Sequence, residues 1–103
     1  MPESASSNVE AVNAFLRAQN LEQLGRADEA VSLYEGIVTG GFDSSGPYDR
    51  LIAIYSDRDD HEGVERVATL AIANVRTHPQ KVQWYEQVRA GAQTAARQVP
   101  RAV

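Results

Sequence analysis

Gly25 interrupts a run of helix-forming residues that resumes almost at once, so the segment "LEQLGRADEAVSLYEGIV" (21–38) has room for a turn and nothing longer. Glycine readily takes the left-handed conformation that ends a helix. Apolar residues at helical intervals precede it (Val9, Val12, Phe15, Leu16, Leu21, Leu24) and follow it (Ala27, Ala30, Val31, Leu33, Tyr34, Ile37, Val38). So short a connection turns the second helix back along the first, which predicts an antiparallel hairpin over 8–38. Ser7 and Glu10 have the spacing of a capping box, which starts the first helix at Asn8 and runs it to Leu24.

The remainder reads the same way. "TGGFDSSGP" is a loop, in which Phe42 is expected to pack back against the helices. Pro47 suits the first turn of a third helix, "YDRLIAIYSD", with Ser44 or Ser45 as its cap. Asp59 and Glu62 repeat the capping spacing ahead of a fourth helix carrying Val64, Val67, Ala68, Ala71, Ile72 and Val75 on one stripe. A fifth starts near Gln80, with Val82, Tyr85, Val88, Ala92, Ala95 and Val99 on one face, and stops before Pro100. The expectation is an all-α single domain over 8–99, with disordered ends at 1–7 and 100–103. No stretch alternates long enough to be a strand.

Chemistry finds few handholds in these 103 residues. Cysteine is absent, which removes disulfides, thiolate metal sites and cysteine nucleophiles. The carboxylates around His61 in "DRDDHEG" read as an acidic turn at a helix start and not as converging metal ligands. His78 has no nucleophile or carboxylate at a suggestive spacing, the serines lack a nucleophile-elbow context, and neither "TGG" nor "SSG" is a phosphate-binding loop. The expectation is no catalysis, no cofactor and no metal.

Residues 1–72 carry 13 acidic against 5 basic side chains, and residues 73–103 carry 1 against 5. The tail bases Arg76, Lys81, Arg89, Arg97 and Arg101 are sparse, and the acidic body repels phosphate, so nucleic acid is not the expected partner. "MPESASSN" lacks signal-peptide features, and no apolar run approaches the ~20 residues that span a bilayer. A soluble, cytoplasmic protein without a membrane role is expected, and the preference for arginine over lysine suggests a GC-rich, bacterial genome.

Laying the second hairpin on the first at an offset of 34 residues pairs Leu21 with Tyr55, Gly25 with Asp59, Ala30 with Val64, Leu33 with Val67, Ile37 with Ala71 and Val38 with Ile72. That period of helix, turn and helix resembles the tetratricopeptide repeat (TPR) family, carried by Ala18, Gly25, Ala30, Tyr34 and Ile37 in repeat one (11–44) and Leu51, Tyr55 and Ala71 in repeat two (45–78). Residues 80–99 then form a capping helix. Arg17, Ile52 and Ala68 depart from the family pattern, and its inter-repeat proline is missing at Phe42 and Arg76.

The resemblance implies a right-handed solenoid of helical hairpins, five helices in all, acting as a scaffold or adaptor that holds a peptide or helix of another protein in a concave groove. The groove positions it implies are Val12, Phe15, Gln19 and Glu22 on the first helix and Asp49, Ala53, Ser56 and Asp57 on the third, continued by Gln83 and Gln87 on the last. The carboxylate clamp of one subclass is not matched, since Phe15, Gln19 and Arg50 stand at its positions. An acidic, glutamine-containing groove suits a neutral or basic peptide.

Trp84 and Tyr85 are neighbours that one helix face cannot bury equally. Tyr85 belongs on the core stripe, which leaves Trp84 either partly exposed at its edge or serving as an interface anchor. The alternative function is therefore a homo-oligomer, a dimer above all, that uses the C-terminal helix to complete a short repeat array.

Overall fold

The structure, a computed structural model, describes the backbone of residues 3–98 and the side chains of residues 8–98. Five α-helices follow one another: α1 (Glu3–Gln23), α2 (Ala27–Thr39), α3 (Gly46–Asp57), α4 (His61–Asn74) and α5 (Val82–Gln98), the last entered through a 3-10 turn at Pro79–Lys81. No strand occurs among the described residues.

The turn after α1 shows why Gly25 is there. Its φ is +76°, its N–H donates to the carbonyl of Glu22 at 3.0 Å, and the Arg26 N–H donates to Leu21 at 2.8 Å. These are the paired bonds of a Schellman cap, which needs a left-handed residue. The turn after α3 has the same geometry, with Asp59 at φ +56° donating to Ser56 at 3.1 Å and Asp60 donating to Tyr55 at 2.9 Å. Helix ends Gln23 and Asp57, and helix starts Ala27 and His61, are each separated by the 34 residues of the sequence repeat.

Helix boundaries depart from expectation in four places. α1 begins at Glu3, so Ser7 lies inside the helix and residues 3–7 are helical backbone; residues 1, 2 and 99–103, including Val99, lie outside the described set. Ser45 occupies the N-cap of α3 without a side-chain bond. The cap of α4 is Asp60, whose carboxylate accepts from the Gly63 N–H at 3.0 Å, because the preceding Asp59 is taken by the left-handed turn. The fifth helix starts at Val82, after the 3-10 turn.

Each helix packs on its neighbours in the chain, and α2 also touches α4. The residues that carry the repeat pattern, Ala18, Ala30, Tyr34, Ile37, Leu51, Tyr55 and Ala71, are all buried, together with Val64, Val67, Ala68 and Val75 of the fourth-helix stripe. Tyr85 and Ala92 bury α5 against them, with Val88 and the loop residue Phe42 packed on the edge of the core. α1 behaves differently. Its inward side is made of Ala11, Ala14, Ala18 and Leu21, whereas Val9, Val12, Leu16 and Leu24 of its expected apolar set are exposed. Small side chains let α2 approach closely, and the branched ones were turned outward.

Candidate functional site

Three tyrosines buried between helices each donate a hydrogen bond to a carboxylate, and a basic side chain holds that carboxylate from elsewhere. Tyr34 of α2 donates to Glu22 of α1 at 2.5 Å, and Arg50 of α3 grips the same carboxylate with two nitrogens at 2.6 and 3.1 Å. Tyr55 of α3 donates to Glu35 of α2, which Arg66 of α4 grips at 2.6 and 3.1 Å. Tyr85 of α5 donates to Asp49 of α3 at 2.8 Å, and Lys81 pairs with the other oxygen. Such bonds satisfy phenols that burial would otherwise leave unpaired.

The electrostatics follow. Hydrogen bonds from Arg50 hold the Glu22 carboxyl below its ordinary value of 4.5, with burial opposing and Tyr34 assisting. Burial works against the Glu35 carboxylate, and the hydrogen bonds from Arg66 and Tyr55 outweigh it, so its pKa is also lowered. Burial first, and the adjacent carboxylate second, raise all three phenols, Tyr55 to about 12.

These bridges decide what the expected groove residues are free to do. Glu22 and Asp49 are occupied within the protein and their charges matched, so they fasten α1 to α3 and α3 to α5. Phe15 is half-buried, with its ring 5.9 Å from that of Tyr34 and packed over Gly46, where a Cβ would lie 2.8 Å from Phe15 Cζ. Gln19 and Ala53 are half-buried, Val12, Ser56 and Asp57 exposed. None of the polar ones among these, Gln19, Ser56 and Asp57, has a side-chain hydrogen bond among the described residues. Gln83 and Gln87 are exposed on the side of α5 opposite Tyr85, two residues away on either hand.

Trp84 is 41% exposed beside the buried Tyr85, its ring 5.2 Å from that ring and 4.9 Å from Lys81 Nζ. The other large exposed hydrophobics cluster elsewhere: Val9 (60%), Val12 (46%) and Leu16 (53%) on α1 and Leu24 (70%) just beyond it. Around the acidic turn, Asp60 is a helix cap, Asp59 a turn residue and Asp57 open to solvent.

Sequence reasoning missed a cleft of about 700 Å³ between α1 and α2, with Ala11, Ala14, Leu33, Gly36 and Phe42 at its sides and Arg76 at its rim. Its signal was present as small residues facing each other across the hairpin. No helix of the described chain is long and apolar enough to cross a membrane. No protein-family model matches the chain, and comparisons with curated proteins and with solved structures likewise return no match.

Proposed function

We propose that the protein is a TPR-like interaction module that holds an extended segment of another protein along the side where α1, α3 and α5 meet. The observation that supports this reading is the set of side-chain bridges, Glu22 to Arg50 and Asp49 to Tyr85 and Lys81, which binds these three helices side by side into one preorganised surface. Rigid surfaces bind with a smaller ordering cost. The hairpin turns repeating at 34 residues, and the burial of every residue that carries the repeat, support the family resemblance.

With Glu22 and Asp49 internally matched, Asp57 is the free acid among the groove positions, and a mainly neutral segment fits better than a strongly basic one. The test is selection of binders from a displayed peptide library, followed by titration of the winners against Gln19→Ala and Ser56→Trp. Both positions are free of internal hydrogen bonds, so the fold is left alone. Binders weakened about tenfold or more on both variants support the groove; binders indifferent to both place the site elsewhere. Self-association through α5 is the second reading, and Trp84 favours it.

A further inference from the structure

We infer that the outer side of α1 is a self-association surface, on which α1 of a second copy of this chain lies antiparallel. Val9, Val12 and Leu16 follow one another at intervals of three and four residues, the spacing of a seam between two paired helices, and all three are exposed. They stand opposite Ala11, Ala14 and Ala18, which already pack on the rest of the protein, so α1 is apolar on two opposite sides. The residues that border the seam, Asn8, Asn13, Gln19 and Asn20, carry no charge that would oppose association. This inference goes beyond the groove reading, whose positions include neither Val9 nor Leu16.

Charge selects the occupant and its direction. Glu10 and Arg17 lie two turns apart on the same flank of the seam, both exposed, and neither forms an ion pair among the described residues. A two-fold axis requires that residue i meet j while j meets i. Placed midway between Glu10 and Arg17, such an axis falls within one residue of the middle of the Val9 to Leu16 row, and it sets Glu10 of each copy against Arg17 of the other. A parallel pair would instead set Glu10 beside Glu10 and Arg17 beside Arg17. Antiparallel packing also opposes the two helix dipoles. Three side chains per copy are few against the ~1,200 Å² that stable interfaces bury, so the dimer is weak and concentration-dependent.

The test is sedimentation of the full chain from about 10 µM to 1 mM. The mass should climb from 11.3 kDa toward twice that value. Leu16→Glu should remain at the chain mass with unchanged helical circular dichroism. Glu10→Arg should weaken the dimer about tenfold, and the exchange Glu10→Arg with Arg17→Glu should restore it, a rescue that a merely structural role would not give. A wild-type chain that stays monomeric throughout, a dimer that survives Leu16→Glu, or an exchange that fails to restore it overturns the inference. Because Leu16 lies outside the groove, peptide capture by Leu16→Glu separates the fate of this inference from that of the groove.

Discussion

Gly25 and Asp59 perform one task with different chemistry, and the difference is measurable. A left-handed backbone costs an ordinary L-residue roughly 1–2 kcal/mol, glycine nothing, and aspartate less than most because its short side chain bonds locally. Gly25→Ala, at φ +76° with open space around the new methyl, should therefore destabilise by about 1 kcal/mol through backbone strain alone. Asp59→Gly should shift urea midpoints the other way, by a few tenths of a kcal/mol. A Gly25→Ala midpoint equal to wild type would mean that the cap relaxes into another turn. Gly46 poses the opposite problem, since there the conformation is ordinary and space is lacking. Gly46→Ala drives a methyl into the Phe15 ring, and a loss of about 1–3 kcal/mol is expected. Phe15→Leu in the same chain should recover part of it; no recovery would show that the cost lies elsewhere than in the α1 to α3 contact.

Between elements, the tyrosine bridges make stability depend on pH at both ends. Glu22 and Glu35 have lowered pKa values in the fold, so their contribution is complete above the ordinary value of 4.5 and is lost as pH falls below it. The phenols are raised, so theirs is complete below 10 and is lost as pH climbs, through about 12 for Tyr55. Melting temperature against pH should fall on both sides of a neutral plateau, and Tyr55→Phe should flatten the alkaline limb. An alkaline limb unchanged in that variant would remove Tyr55 from the account. None of these bridges was legible beforehand, because partners 12 to 36 residues apart obey no local spacing rule. The hairpin turns were legible from Gly25 and its counterpart at position 59, and so were the stripes of α4 and α5, where one apolar face stands alone. α1 was misread at Val9, Val12, Leu16 and Leu24 since periodicity marks apolar stripes without saying which of two will dock. The α4 cap moved to Asp60 for a related reason: two adjacent aspartates offer both a turn residue and a cap, and only the backbone decides between them.

At the scale of the molecule, 55 × 32 × 18 Å, burial is unevenly shared. In α3, Pro47, Tyr48, Leu51, Ile52, Ile54 and Tyr55 are all buried, and bridges leave this helix toward α1, α2 and α5, so its opening disrupts contacts on several sides. α1 places a single fully buried residue, Ala18, among its described side chains, and its bridge to α3 comes from Glu22, near the C-terminal end. Local opening follows the number of contacts that must be broken. Native-state hydrogen exchange should therefore find the amides of α3 exchanging only through global unfolding, while the first half of α1 exchanges at a much lower free energy. Protection around Val9, Val12 and Leu16 should then rise with protein concentration, since pairing with a second copy withdraws this half of the helix from solvent, whereas α3 should not respond. Equal protection in α1 and α3 at high dilution would show that α1 is held by the chain itself, and its exposed row would then carry no share of the stability.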